Sequence, residues 1–348
     1  MAVPSVIEDR LVFTLDDLDR RWTRVALDCD DAVVGRRRFR RTAQGWGLAL
    51  PRPELNRVEY RLVVTERGGS TEVVCDPGNT ERVDTAFGQR SVALMPGYER
   101  PGWLRRDVSP GSAFELADET GPLGRLPVSV WSPDGLDAER PAPLLVAHDG
   151  REYVERASLT HYAAAMCADE VLPPFRIALL TPVDRDEWYS ASREYVAAEL
   201  TAIGHVAESV PVRGRLVTMG ASLGGLTALL VAQAGEGRFG GVVAQSGSFF
   251  TPELDEQEST YPHFARVTEA VAAIGEQAAT EQPLMVGMTC GALEENCANN
   301  NAMAAVLRGQ GHEVTLRPVA DLHNYSAWRD SLHPTLTEVL RSVWEPRG

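Results

Sequence analysis

The chain has 348 residues, with 34 Lys+Arg against 49 Asp+Glu and a formal net charge of −15. Hydrophobic residues make up 44% and charged residues 24%, which supplies a sizeable core, excludes a disordered or disulfide-stapled chain, and suggests about two domains. The acidic balance excludes a general nucleic-acid binder, because neutralising phosphates needs a basic surface or patch.

The start, Met-Ala-Val-Pro-Ser followed by Glu8 and Asp9, lacks the basic and apolar segments of a signal peptide. No window approaches the roughly 18 unbroken apolar residues of a membrane span. A cytoplasmic location without membrane contact is therefore expected. Cys29, Cys75, Cys167, Cys290 and Cys297 are scattered, with no CxxC pair. They read as reduced, mostly buried thiols, so neither a disulfide framework nor a metal site is expected. The basic run Arg36, Arg37, Arg38, Arg40 and Arg41 is broken by Phe39 and reads as a solvated strand or loop face.

Residues 1 to about 103 show short β-like runs at Trp22–Leu27, Gly45–Leu50, Val58–Thr65 and Glu72–Cys75. Turn signals such as Gly68-Gly69 and Asp76-Pro77-Gly78-Asn79 separate them, as in a small all-β sandwich. Gly88 to Gly111 is rich in Gly and Pro and reads as a connector packed through Tyr98, Trp103 and Leu104. The expected division is an N-terminal β-sandwich over 1–103 and a second domain over 104–348.

The second domain alternates strands with helices. Strands are expected at Val128–Trp131, Pro143–Ala147, Arg176–Thr181, Arg215–Met219, Gly241–Gln245, Leu284–Thr289 and Val314–Pro318. Helices are expected at Ser158–Asp169, Tyr195–Ser209, Leu226–Ala234, Asn300–Arg308 and Pro334–Val343. This alternation implies an α/β domain with a mostly parallel sheet covered on both faces.

Gly220-Ala221-Ser222-Leu223-Gly224 matches G-x-S-x-G between a strand and a helix. The small neighbours allow a strained turn that lifts the Ser222 hydroxyl to the carboxyl end of the sheet. The helix N-terminus beneath it favours developing negative charge. A serine hydroxyl needs a base, and His263, His312, His323 and His333 follow it. His312 sits in a turn before a strand, His333 beside Pro334, and His263 in a polar linker. His323 stands in the loop directly after the last strand, where chain order Ser, acid, His puts the base. The acid is expected after the strand Leu284–Thr289, at Glu294 or Glu295, with Asp321 as a rival. The oxyanion donors would be the backbone N–H of Leu223 and that of Gly150 or Arg151, in His148-Asp149-Gly150-Arg151.

These residues resemble the enterochelin esterase family of esterase D-like α/β-hydrolases. The resemblance rests on His148-Asp149-Gly150, Gly220–Gly225, Gly291-Ala292-Leu293-Glu294, and His323-Asn324 followed by Trp328-Arg329. It extends to Val58–Val64 and the Asp76–Leu94 segment, similar to the immunoglobulin-like domain that precedes these hydrolases. It implies an α/β-hydrolase that cleaves the ester bonds of cyclic catecholate trilactone siderophores, releasing iron in the cytoplasm without a cofactor. Ser222 would match the nucleophile, His323 the base and Glu294 the acid. Arg185, Trp188, Tyr189 and Trp328 would meet the substrate, the arginine holding anionic rings by charge and stacking, although Trp188 and Tyr189 read equally as core residues. Arg185 could equally form a structural ion pair with Glu187 or another carboxylate. Because the whole chain is strongly acidic, a ferric siderophore would need a local cationic pocket built from Arg185 and Arg151. The alternatives are a serine carboxylesterase, a feruloyl or acetyl esterase on another small ester, an acyltransferase, or a non-catalytic hydrolase-fold binding protein.

Overall fold

The computed structural model describes residues 3–33, 37–116, 123 and 126–345. The chain forms two compact units: Met1–Arg100 with Ala320–Asn324, and Pro101–Val319 with Tyr325–Gly348.

The first unit holds strands β1 (Ser5–Ile7), β2 (Arg10–Asp16), β3 (Trp22–Cys29), β4 (Arg37–Arg38), β5 (Arg40–Arg41), β6 (Gly45–Pro51), β7 (Arg57–Glu66), β8 (Thr71–Val74), β9 (Arg82–Thr85) and β10 (Gly88–Leu94). They form two antiparallel sheets, ordered β1-β2-β6-β5 and β4-β3-β7-β10-β9, with β8 also pairing β7. Alternating residues of β2, Leu11, Phe13 and Leu15, are buried with Val25, Leu27, Tyr60, Leu62 and Val64. That two-residue period is what a half-buried strand requires. Phe13 meets Tyr60 edge-on at 5.0 Å between ring centroids. In the basic run, Phe39 turns inward while Arg37, Arg38, Arg40 and Arg41 are exposed; Arg36 lies outside the described residues.

Two expectations for this unit are corrected. Gly88–Leu94 is a strand rather than part of a connector, because Val92 and Ala93 enter the core and the segment pairs with both β7 and β9. The boundary falls at Arg100/Pro101, and a short late segment belongs with the first unit.

The second unit carries strands β11 (Ser112–Leu116), β12 (Val128–Ser132), β13 (Leu144–Ala147), β14 (Arg176–Leu180), β15 (Leu216–Ala221), β16 (Phe239–Gln245), β17 (Met285–Gly291) and β18 (Glu313–Val319). Its helices are α1 (Gly150–Ala157), α2 (Leu159–Ala168), α3 (Arg185–Tyr189), α4 (Arg193–Ser209), α5 (Leu223–Ala234), α6 (Phe264–Gly275), α7 (Cys297–Gly309), α8 (Tyr325–Asp330) and α9 (Leu332–Trp344). The sheet order is β11-β12-β14-β13-β15-β16-β17-β18. The pairs β11–β12 and β12–β14 are antiparallel and the rest parallel. Every residue of β13, β14, β15 and β16 is buried, as a sheet covered on both faces demands. One cluster buries Ile203, Leu226, Val267 and Met303; the other buries Tyr153, Tyr162, Leu336 and Val339. Buried Arg176 donates to the carbonyls of Asp137, Ala138, Arg140 and Pro211, each at 3.0 Å.

Helix α6 occupies a stretch that reads as a polar linker, because Val267, Val271 and Ile274 recur at helical spacing and pack inward. Helix α1 begins where a loop is expected, directly after Asp149.

Candidate active site

Ser222 follows β15 and precedes α5 with φ 57° and ψ −127°. This left-handed backbone is costly for a side chain bearing a Cβ and persists only where its surroundings enforce it. Here a Cβ on Gly220 would come within 2.3 Å of the Gly224 carbonyl oxygen, so the turn requires glycine. The Ser222 N–H donates to Gln245 O at 2.9 Å, and its carbonyl accepts from Ser248 N–H at 3.0 Å. Its half-buried hydroxyl stands 3.2 Å from that of Ser248. The expected nucleophile is thus held by backbone and presented by strain. Leu223 opens α5 and Gly150 opens α1, and first-turn N–H groups of a helix have no intrahelical acceptor. A Cβ on Gly150 would strike Leu179 Cα at 2.6 Å, so this junction also depends on glycine.

Asp149, at φ 50°, is buried at the mouth of α1. Arg185 grips its carboxylate through Nε at 2.9 Å and Nη2 at 2.8 Å. Burial disfavours the Arg185 charge, but Asp149 outweighs it and raises the pKa above the ordinary value. The partner of Arg185 is therefore Asp149, while Glu187 binds Arg266. Arg151 pairs with Glu155. The expectation that Arg185 and Arg151 together supply unbalanced positive charge is corrected, since each faces a carboxylate. Arg185 nevertheless keeps 35% of its side chain exposed.

Trp188 and Tyr189 are core residues rather than substrate contacts: both are buried and pack on Tyr195, Trp188 in a stacked pair at 5.4 Å. The Tyr189 hydroxyl accepts from Asp149 N–H at 3.1 Å. Trp328 is also buried, and its Nε1–H donates to Ser246 Oγ at 3.1 Å. Large aromatics near a site read alike in sequence whether they face ligand or core.

Glu294 is buried and Glu295 exposed. Glu294 Oε1 accepts from Ser246 Oγ at 2.9 Å and from Gly291 N–H at 2.8 Å. Such donors stabilise a carboxylate and orient it. Asp321 is committed to Arg57 at 2.7 Å, and burial pushes its carboxyl up to about 6 although Arg57 opposes the shift. His323 is exposed and lies in the segment belonging to the first unit. His312 Nδ1 accepts from Leu284 N–H at 3.0 Å, a structural role as expected.

Sequence reasoning missed two supports. Asn300 holds Gly247 by both its N–H, at 3.1 Å, and its carbonyl, at 2.7 Å, fixing the loop that carries Ser246 and Ser248. The three consecutive asparagines Asn299, Asn300 and Asn301 were the only sequence signal. The second is a fully buried pair: His148 Nδ1 lies 2.9 Å from Met219 O and Nε2 lies 2.9 Å from Glu199 Oε2. Burial lowers the His148 pKa, but the Glu199 charge and hydrogen bond prevail and raise it.

The Esterase family model matches residues 123–339, well over half of the chain. The chain belongs to the Esterase family. It is 28% identical over 288 residues to the iron(III) enterobactin esterase of Dickeya dadantii (strain 3937), a match covering 74% of this chain and 63% of that protein. The match thus spans less than two thirds of that relative's length. Among solved structures, the fold is shared with the enterobactin esterase of Shigella flexneri in the presence of 2,3-di-hydroxy-N-benzoyl-glycine. That match has TM-score 0.78 and 21% identity, and it covers 99% of this chain and 97% of that one. A ferulic acid esterase matches with TM-score 0.57 and 18% identity, over 66% of this chain and 98% of its own. The α/β-hydrolase fold is the common element. Among the described residues no helix is long and apolar enough to cross a membrane.

Proposed function

We propose that this esterase hydrolyses the ester bonds of a catecholate trilactone siderophore in the cytoplasm, releasing its iron, through Ser222, His323 and Glu294. The observation that carries the reading is the strained backbone of Ser222 at the β15–α5 junction. Strain of this kind at a strand–turn–helix junction with G-x-S-x-G is what a presented nucleophile requires. The enterobactin esterases matched in sequence and fold support the substrate class. Glu294, buried and held by two donors, is the acid favoured over exposed Glu295 and over Asp321. Chain order, with His323 after β18, supports the base.

In the first step Ser222 Oγ attacks the ester carbonyl while His323 takes its proton. The oxyanion is received by the N–H of Leu223 and that of Gly150 or Arg151. Collapse expels the alcohol, which regains a proton from His323; water then attacks the acyl-serine by the same route. Arg185 contributes donors on its exposed edge rather than unbalanced charge, because Asp149 balances it. The test compares turnover of ferric and iron-free trilactone with p-nitrophenyl esters, alongside fluorophosphonate labelling. Faster turnover of the trilactone and labelling that disappears in Ser222→Ala are expected. Labelling retained in that variant overturns the nucleophile, and trilactone turnover no faster than that of simple esters overturns the substrate.

A further inference from the structure

The first unit is not confined to the beginning of the chain, since it includes Ala320–Asn324, the link between β18 and α8. Contacts from sequence-distant residues bind this link into the sandwich. Asn56 N–H donates to Ala320 O at 2.6 Å. Arg57, the first residue of β7, donates through Nε to Asp321 Oδ2 at 2.7 Å, and the two side chains are 3% and 2% exposed. Leu322 is buried in the sandwich core among Leu11, Phe13 and Tyr60. On its other side the Arg57 guanidinium lies over the Tyr98 ring, 4.6 Å from the centroid. The next residue, His323, is exposed. Three successive residues are therefore anchored and the fourth projects from the anchor.

We propose that Arg57 is a positioning residue for His323: by clamping Asp321 while Leu322 is sunk in the core, it makes the β-sandwich the support of the catalytic base. The inference rests on the reading of His323 as that base. With Ala320, Asp321 and Leu322 pinned, the imidazole is left little freedom beyond its own torsions. A buried carboxylate without its guanidinium would draw water or move, and the loop would move with it. Displacement of a catalytic group by about 1 Å costs on the order of a hundredfold in rate. The carboxylate of Asp321 thus supports the base through the backbone that joins them.

The test uses Arg57→Ala and Arg57→Lys in the full chain. Amide hydrogen exchange is followed over 320–324, and kcat and KM are measured on a p-nitrophenyl ester per fluorophosphonate-titrated site. Expected for Arg57→Ala is faster exchange at Leu322, His323 and Asn324 than in the rest of the sandwich. With it comes a fall in kcat of about tenfold or more, KM within about twofold, and partial recovery in Arg57→Lys. Exchange rising evenly across the sandwich with kcat per titrated site unchanged would mark a merely structural role and sink the inference. So would unchanged exchange over 320–324. If Arg57→Ala does not fold, Asp321→Asn carries the same comparison, with a smaller fall in kcat expected and parental exchange and kcat counting against the inference. His323→Ala separates the two levels. Activity surviving in that variant overturns the triad reading, whereas activity lost there but intact in Arg57→Ala overturns this inference alone.

Discussion

Two arginine–aspartate pairs in this chain use the same chemistry in different surroundings. In the first unit, Arg57 and Asp321 are 3% and 2% exposed. In the second, Asp149 is 1% exposed but Arg185 is 35% exposed. The first pair is closed on all sides, so it can hold backbone but cannot meet a ligand. The second pair has one open edge: Arg185 fixes Asp149 at the mouth of α1 and still offers donors outward. Breaking a sealed pair leaves an uncompensated charge, at about 3–5 kcal/mol. Screening reduces that penalty where one partner meets water. Exposure of a single partner, rather than the pairing itself, separates a structural ion pair from one that can serve recognition.

The largest effect is expected on removing the proposed nucleophile. Ser222→Ala should lower kcat by about 10⁵–10⁶ while leaving the fold intact, read by single-turnover ester hydrolysis. Glu294→Gln should follow with a fall of roughly 10³–10⁴ in kcat at nearly constant KM, since the base would lose its orienting carboxylate. A change below tenfold would hand the acid role to another residue.

Arg185→Lys addresses the open pair directly. It keeps a charge for Asp149 but loses the planar fork. KM for an anionic aromatic ester should rise about tenfold, with an effect under about threefold for a neutral ester. Equal effects on both would make Arg185 a support of Asp149 alone, with no part in recognition.

The smallest effect concerns the buried pair His148–Glu199. The folded pKa of His148 is raised above its ordinary value. Its stabilisation is therefore fully present below the unfolded pKa of about 6.5 and is lost as pH climbs through the raised value. Urea midpoints should decline over that window in the parent, and the decline should flatten in His148→Asn. An identical slope in both would assign the pH dependence elsewhere.

Much of this was legible in the chain itself. Alternating Leu11, Phe13 and Leu15 obey the strand period of a half-buried β2. The glycines flanking Ser222 declare a close-packed turn, and a Cβ on Gly220 would collide with the Gly224 carbonyl. The acidic loop after β17 offers Glu294 and Glu295 as the acid, with Asp321 as a rival; Glu294 is buried, Glu295 exposed, and Asp321 is paired with Arg57. Trp188 and Tyr189 read equally as core or ligand contacts and Trp328 as a ligand contact, because an aromatic carries no mark of which side it faces; all three are buried.

Local sequence determined most strands of the second unit, the turn at Ser222 and the order of the candidate triad, because these follow from short-range sterics and periodicity. Only the tertiary structure decided that Arg185 answers to Asp149, that His148 is a buried partner of Glu199, and that Arg57 reaches Asp321 across 264 positions. Charges along a chain do not state their partners. Partners are chosen by desolvation, which excludes every arrangement that leaves a buried charge alone, and desolvation exists only once the core has closed.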